Sequence, residues 1–91
     1  MPLWTVRYSE NAAKQFHKLD KSVQITIERF VNRLPDYPNP RDIGKALTGQ
    51  FSGSWRYTVG DYRLICSIHD NVLTVEIVKI GHRSKIYKDK K

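Results

Sequence analysis

Two tight turns divide residues 55–87 into three runs in which apolar and polar residues alternate. The turns are Gly60-Asp61 and Asp70-Asn71, two-residue loops of the kind that closes a β-hairpin. Two consecutive hairpins make three adjacent antiparallel strands. This pattern constrains the fold more than any other feature, because the rest of the chain must then cover one side of that sheet.

The turns also predict the register of the strands. If Val59 pairs with Tyr62, and His69 pairs with Val72, the two hairpins assign the same residues of the middle strand to each face. The apolar face is predicted to carry Trp55, Tyr57, Leu64, Cys66, Ile68, Leu73, Val75 and Ile77. The opposite face is predicted to carry Arg56, Thr58, Arg63, Ile65, Ser67, Thr74, Glu76 and Val78.

This second face is predicted to be cationic. Arg56 and Arg63 lie on neighbouring strands near the Gly60 turn. By the same pairing, the last strand ends close to the start of the strand that bears Arg63, so that His82 and Arg83 emerge beside it. We therefore expect Arg56, Arg63 and Arg83 to converge.

The residues before the hairpins predict a strand and two helices. Trp4–Tyr8 alternates and is rich in β-formers, and Ser9 is a good N-cap for a helix through Lys18. Asp20 or Ser22 would cap a second, longer helix. Its apolar stripe consists of Val23, Ile27, Phe30, Val31 and Leu34. The two helices are expected to pair and to cover the apolar face of the sheet.

The remaining segments are a connection and a tail. Prolines at 35, 38 and 40 are expected to end the second helix. Residues 41–54 are expected to form a long loop with a helical turn near Ile43, and residues 83–91 a short, partly frayed terminal helix. The predicted fold is α+β, a single domain over residues 1–91 with the order β-α-α-β-β-β. An antiparallel sheet carries the helical pair on one face.

Charge indicates the class of partner. The chain has a net charge of +7 and a pI near 9.8, which favours a polyanion such as RNA, DNA, an anionic membrane or an acidic protein. Plain solubility is the alternative reading of the basic C-terminal tail. The sequence shows neither an apolar signal segment nor a membrane-spanning stretch, so a cytoplasmic location is expected.

Several kinds of site are disfavoured. The histidines His17, His69 and His82 belong to three separate elements, and no metal site or cofactor is predicted. Cys66 falls on the core face, where a lone cysteine is usually apolar filler. Glu76 is the only carboxylate on the exposed sheet face, which excludes paired acids.

A cationic surface with aromatic groups nearby suits a phosphodiester. Cleaving RNA requires deprotonation of a 2′-hydroxyl, neutralisation of charge on the phosphoryl oxygens and protonation of the departing 5′ oxygen. Arginines supply the second requirement through fixed donors, and Tyr87 or His82 supplies a group for proton transfer. Alternatively, the arginines only bind phosphates or an acidic partner and take no part in a reaction.

The segments GDYRLICSI and VLTVEIVKIGHRSKIYK resemble the RelE branch of the RelE/ParE superfamily, the toxins of type II toxin-antitoxin modules. The resemblance spans nearly the whole chain. Its motifs are Tyr62-Arg63, Gly81-His82-Arg83 followed by Tyr87, the K-x-L-x-G element from Lys45 to Gly49, and Trp55-Arg56. No single motif is specific; the ordered set carries the resemblance.

The resemblance implies a RelE-like microbial RNase fold and a toxin that cuts mRNA in the ribosomal A site without a metal, inhibiting translation, and that a cognate antitoxin holds inactive. By position, Arg63 and Arg83 would stabilise the phosphate at the transition state, and Tyr87 would be the base, with a share for His82. The RNA- and ribosome-binding residues would be Lys45, Arg56, Lys79, Lys85 and Lys88.

The sequence also departs from the family pattern. Members that rely on lysine chemistry carry a second lysine where this chain has Thr58, and the short spacing from Gly81 to Tyr87 lets Arg83 match either of two family positions. The general acid and base therefore stay open. The rival interpretation is a ParE-like inhibitor of DNA gyrase without nuclease chemistry. A non-catalytic nucleic-acid-binding module is a third, although Trp55 and Tyr57 are predicted to face the core.

Overall fold

A five-stranded sheet forms the centre of the computed structural model, which describes residues 3–87. Its strands are β1 (Thr5–Tyr8), β2 (Lys45–Ala46), β3 (Trp55–Val59), β4 (Tyr62–His69) and β5 (Thr74–His82), in the spatial order β1-β5-β4-β3-β2. The helices are α1 (Glu10–His17) and α2 (Lys21–Arg33). Short 3₁₀ turns cover Leu34–Asp36, Pro40–Asp42, Gly49–Phe51 and Asp70–Val72. The predicted α+β class and the helical pair are confirmed.

The helix starts follow the predicted capping. Ser9 precedes α1, and its Oγ accepts a hydrogen bond of 3.0 Å from the Ala12 N–H. Of the two candidates for the second cap, Asp20 occupies the position before α2, without a side-chain hydrogen bond. Both helices pack on one face of the sheet. The core between them consists of Ala12, Ile27, Val31, Leu34, Tyr57, Val59, Leu64, Cys66, Val75, Ile77 and Ile80.

The predicted antiparallel sheet is mixed, because β1 runs parallel to β5. Thr5 pairs with Thr74, and Tyr8 pairs with Ile77. After β1 the chain passes through both helices, which lie over one face, and re-enters the sheet at the opposite edge. β1 therefore pairs with β5, the last strand in sequence. Hairpin turns specify only neighbours in sequence, so they gave no information about this long-range pair.

The predicted loop over residues 41–54 contains β2. Lys45 pairs with Arg56, and Ala46 pairs with Trp55. A strand of two residues is too short to show alternation, which is why the sequence did not reveal it. The helical turn expected near Ile43 is the 3₁₀ turn Pro40–Asp42, which ends immediately before it.

The first hairpin has the predicted register and the second does not. Val59 pairs with Tyr62 as expected, whereas His69 pairs with Thr74 instead of Val72. The second turn is longer than two residues, because Asp70–Val72 forms a 3₁₀ turn and Leu73 adopts a left-handed conformation with φ of 47°. Leu73, which was predicted to face the core, is consequently exposed.

A β-bulge changes the second half of β5. Cys66 pairs with Ile77, but the preceding residue of β4, Ile65, pairs with Lys79, so that Val78 is an extra residue. Every side chain after the bulge is therefore on the opposite face from the one that strict alternation gives. Ile80 points into the core and is 3% exposed, while Lys79 takes the face predicted for Val78.

Cys66 is fully buried in the core, as predicted. Burial raises the pKa of its thiol well above the ordinary value, because the low-dielectric surroundings disfavour the thiolate. The side chain therefore acts as a small apolar group. In the described chain, no helix is long and apolar enough to cross a membrane.

The predicted terminal helix is only partly covered by the structure. Residues 83–87 form turns, in which the N–H groups of Lys85 and Ile86 both donate to the His82 carbonyl at 2.9 Å. Ile86 is buried at 2% exposure. The rest of the predicted helix, including Lys88, lies outside the described residues.

Candidate functional site

Four paired residues form a line across the sheet face that does not carry the helices. Lys45 pairs with Arg56, Arg56 with Ile65, and Ile65 with Lys79, on β2, β3, β4 and β5 respectively. Directly paired residues of neighbouring strands point to the same face. Three cations from three strands thus lie in one transverse line, the cationic row, which we define as Lys45, Arg56 and Lys79. Ile65 lies between Arg56 and Lys79.

The position of Lys45 depends on a close approach of the chain to β3. Gly44 has φ of 82°, and a Cβ there would lie 2.5 Å from the Arg56 carbonyl oxygen and 2.6 Å from the Trp55 Nε1. The same indole N–H donates to the Ile43 carbonyl at 2.8 Å. Only glycine fits this position, and β2 consequently lies directly beside Arg56.

We expect Gly44→Ala to lower the free energy of unfolding by about 2–4 kcal/mol, the sum of left-handed strain and overpacking. Gly53→Ala is the matched control, because Gly53 also has a positive φ, of 95°, but has no atom within 4 Å of an added Cβ. It should lose only the strain, about 1 kcal/mol. Thermal and denaturant unfolding of both variants measure the difference. Equal losses would contradict a close approach at Gly44.

Two arginines border the Gly60-Asp61 turn. Arg63 points to the same face as Arg56 one row further along, and its Nη1 donates to the carbonyls of Gly60 and Tyr62 at 3.0 Å each. The backbone N–H of Arg83 donates to the Asp61 carbonyl at 2.7 Å, and its Nε lies 3.6 Å from the Asp61 carboxylate. The turn therefore brings Arg63 and Arg83 to the same edge of the sheet, as predicted.

Arg56 is the diagonal neighbour of Arg63. Arg56 lies opposite Ile65, two residues along β4 from Arg63, and such diagonal neighbours are typically about 7–8 Å apart. Long guanidinium side chains can span this distance to a common anion. The arrangement is dense in positive charge at one end of the exposed face.

Aromatic side chains line the cationic row. The ring of Phe51 contacts the ring of Tyr87, with centroids 5.6 Å apart, and the Lys79 Nζ lies 5.8 Å from the Phe51 centroid. Ile86 packs against Gly81, where a Cβ would come within 2.9 Å of the Ile86 Cδ1. The C-terminal turn therefore folds over this face and places Tyr87 beside the row.

Sequence reasoning missed Phe51. It is the only aromatic residue among residues 41–54, and this isolation in a polar loop was the available signal. Its contact with Tyr87 shows that the loop and the C-terminal turn meet over the sheet.

Two buried polar atoms in the described chain have no hydrogen-bond partner, the Arg56 Nε and the Tyr87 hydroxyl. A buried polar group without a partner typically costs about 1–3 kcal/mol, so such groups need an explanation. Both belong to side chains of the cationic face. Both atoms are shielded from solvent, so they are not open binding groups in this conformation.

His82 lies on the other side of the sheet. It pairs with Tyr62, whose ring packs against the core, and the two rings are 5.4 Å apart in an edge-to-face contact. Its Nδ1 accepts a hydrogen bond of 3.1 Å from the Ser84 N–H. His82 was expected to lie beside Arg63, but the structure places the two side chains on opposite faces of the sheet. The reason is the bulge at Val78, which reverses the faces of the β5 residues that follow it.

Lys85 and Glu76, two further residues considered in the sequence analysis, are not part of the cationic row. Lys85 is exposed on the C-terminal turn, two residues before Tyr87. Glu76, the carboxylate on this face, lies in the next row, where it forms an ion pair with Arg7 at 3.2 Å and lies 3.5 Å from the His69 Nε2. Its negative charge is therefore engaged away from the cationic row. Among residues 3–87, no three His, Cys, Asp or Glu side chains are grouped so as to hold a metal ion.

Comparisons with known proteins agree over nearly the full chain. The model of the ParE toxin of type II toxin-antitoxin systems matches residues 6–87. The chain is 31% identical to toxin RelG of Mycobacterium tuberculosis, over 93% of this chain and 97% of that protein. It is also 31% identical to toxin RelE of the same organism, over 91% of this chain and 84% of that protein.

A solved structure shows the same fold. The toxin-antitoxin complex RelBE2 from Mycobacterium tuberculosis contains a chain that superposes with a TM-score of 0.80 at 30% identity, covering 93% of this chain and 97% of that one.

Proposed function

This chain belongs to the RelE branch of the RelE/ParE superfamily, as a toxin of a type II toxin-antitoxin system, and we propose that it is a ribosome-dependent mRNA endoribonuclease. The observation that carries the proposal is the line of Lys45, Arg56 and Lys79 across the sheet face, with Arg63 and Arg83 at the adjoining Gly60-Asp61 turn. The aromatic rings of Phe51 and Tyr87 border this line. Fixed cations beside aromatic groups suit the phosphates of an RNA strand in the ribosomal A site.

The reaction we propose is an internal transesterification. The 2′-oxygen of the A-site nucleotide attacks the adjacent phosphorus, a 2′-O–P bond forms, and the P–O5′ bond breaks. The products are a 2′,3′-cyclic phosphate and a 5′-hydroxyl. The proton of the 2′-hydroxyl goes to this chain, and solvent supplies the proton of the new 5′-hydroxyl. Fixed guanidinium groups stabilise the developing negative charge.

Tyr87, Arg63 and Arg83 have separate roles in this scheme. Tyr87 takes the proton of the 2′-hydroxyl on its phenolate oxygen. Arg63 and Arg83, beside the same turn, bind the non-bridging oxygens, and Arg83 also stabilises the charge on the departing 5′ oxygen until solvent protonates it. Because the His82 ring lies on the helix-bearing side, we assign the proton transfer at the 2′-hydroxyl to Tyr87.

The flanking phosphates are held by the cationic row. Lys45, Arg56 and Lys79 lie in one line across four strands, which suits the backbone of one RNA strand. Lys85, exposed on the C-terminal turn, and Lys88 add contacts to mRNA or ribosomal RNA. The surplus of seven positive charges favours association with the ribosome.

We further propose a cognate antitoxin protein as the partner that inhibits the toxin, and the cytoplasm as its location. The RelBE2 toxin of Mycobacterium tuberculosis, which shares this fold at 30% identity, was solved as a toxin-antitoxin complex. A ribosome-dependent nuclease must also act where translation takes place.

Primer-extension mapping of an mRNA on programmed ribosomes, in excess chelator, tests the activity. We expect breaks in the A-site codon that require both the protein and the ribosome. A control toxin of known activity shows that the ribosomes are competent. If that control cuts and this protein does not, the nuclease proposal is wrong. A DNA supercoiling assay with gyrase then tests the ParE-like alternative. The match to the ParE family model is the reason for choosing this assay.

A further inference from the structure

Strand β5 extends beyond the strand that pairs with its outer edge. β5 covers Thr74–His82, whereas β1 covers only Thr5–Tyr8, and the last pair between them is Tyr8 with Ile77. Among residues 3–87, no strand pairs with that side of β5 beyond Ile77. Unpaired backbone N–H and C=O groups at such a position need other partners.

Polar side chains of the α1 segment supply those partners. The Val78 carbonyl accepts hydrogen bonds from the Ser9 Oγ at 3.3 Å and from the Asn11 Nδ2 at 3.1 Å. The Ile80 N–H donates to the Gln15 Oε1 at 2.7 Å, which is the shortest of the three. Helix α1 thus replaces β1 as the edge partner of β5 over residues 78–80.

These contacts coincide with the β-bulge. Val78 is the extra residue, and Lys79 and Ile80 are the first residues whose faces it determines. Without the bulge, alternation from Ile77 would direct Lys79 toward the helices and Ile80 toward the cationic face. With the bulge, Lys79 lies opposite Ile65 and beside the Phe51 ring. The hydrogen bonds from the α1 segment bind the backbone of Val78 and Ile80 and so stabilise the bulged arrangement.

We propose that Gln15 is a positioning residue, which holds the bulged form of β5 and thereby keeps Lys79 in the cationic row. Its link to cleavage depends on the proposed nuclease function, whereas its link to the bulge does not. Gln15 does not belong to the cationic face and acts on RNA through Lys79. Its half-buried amide is 65 residues away in sequence from the N–H that it binds.

Three variants separate this role from general packing. Gln15→Met has a side chain of similar length but no strong acceptor for the Ile80 N–H, and Gln15→Glu keeps an acceptor oxygen. Gln24→Met is the matched control. Gln24 is also half-buried and bonded to the backbone, but its Nε2 donates to the Phe16 carbonyl at 3.0 Å, at the end of α1. Gln24 is not one of the proposed RNA-binding residues.

The register itself is measured without any activity. We expect the Ile80 amide to exchange with deuterium about tenfold faster in Gln15→Met than in the native protein, because a part-buried donor loses its acceptor. The cross-strand nuclear Overhauser contacts between Ile65 and Lys79 should weaken in parallel. Gln15→Glu and Gln24→Met should retain both signals. Unchanged exchange and contacts in Gln15→Met would overturn the proposal, even if the native protein proved inactive on ribosomes.

A double-mutant cycle tests the link to Lys79. We expect Gln15→Met to lower kcat/KM for A-site cleavage about tenfold in the native background and less than about twofold in a Lys79→Met background. Gln15→Glu should restore most of the rate, and Gln24→Met should keep it. A full tenfold loss in both backgrounds would show that Gln15 does not act through Lys79. If the native protein cleaves nothing, the nuclease function fails and the exchange experiment alone decides the role of Gln15.

Discussion

Arg63→Ala is expected to reduce A-site cleavage by about 10²–10³-fold, the usual effect of removing one fixed donor from a developing oxyanion. Its guanidinium is held at the Gly60-Asp61 turn by two backbone carbonyls and is oriented before the RNA arrives. The loss should fall on kcat more than on KM, because the charge on the phosphoryl oxygens increases in the transition state. Single-turnover cleavage on programmed ribosomes measures both quantities.

Two further variants distinguish geometry from charge. Arg63→Lys keeps the positive charge but loses the planar, two-donor fork, and it should recover only a small part of the rate. Arg7→Ala removes a cation from the opposite edge strand, where Arg7 is exposed and paired with Glu76, and it should leave the rate unchanged. Folding is checked by thermal unfolding and by binding of the antitoxin. Undiminished cleavage by a folded Arg63→Ala protein would remove Arg63 from the site.

The first hairpin could be predicted because its signals are local. Gly60 has φ of 58°, as a tight turn between β3 and β4 requires, and alternation continues unbroken on both sides. The register of this hairpin put Arg56 and Arg63 on one face, and the end of β5 brought Arg83 to the same turn. The three arginines of the proposed phosphate-binding site were thus predicted to lie together from the turn at Gly60.

The second hairpin could not be predicted in detail, because its geometry is fixed by contacts distant in sequence. The bulge at Val78 leaves no mark on the alternation of apolar residues, since Val78 and Ile80 are both β-branched and either could face the core. What decides between them is a set of hydrogen bonds from α1, more than 60 residues upstream. This one feature determines both the place of Lys79 and the removal of His82 from the cationic face.

The pairing of the edge strands β1 and β2 could not be predicted either, because it also depends on contacts that local sequence patterns do not show. β1 was recognised as a strand, but its parallel pairing with β5 depends on the path of the chain through both helices. β2 has two residues and is held in place by Gly44, Trp55 and the carbonyl of Ile43. Lys45 was assigned to RNA binding through the family resemblance alone, and the pairing with Arg56 gives that assignment a structural reason.

Tyr87→Phe is expected to lower the cleavage rate by about 10²–10⁴-fold, the usual contribution of a group that transfers a proton in the transition state. The substitution removes one oxygen and leaves the ring, so the edge-to-face contact with Phe51 is retained. It also removes a buried hydroxyl that has no partner in the described chain, so the free protein should not lose stability. Slower chemistry in a protein of equal or higher Tm is therefore the expected combination.

This combination separates proton transfer from a structural role. If the Tyr87 hydroxyl served only the fold, its removal would lower Tm, and the rate at saturating protein would stay near that of the native toxin. Tyr37→Phe provides the matched control, because Tyr37 is exposed after α2 and should be neutral in both measurements. If Tyr87→Phe cleaves at the full rate, the base must be sought elsewhere. His82→Ala would then be the next variant, although its ring would have to leave its contact with Tyr62 to reach the RNA.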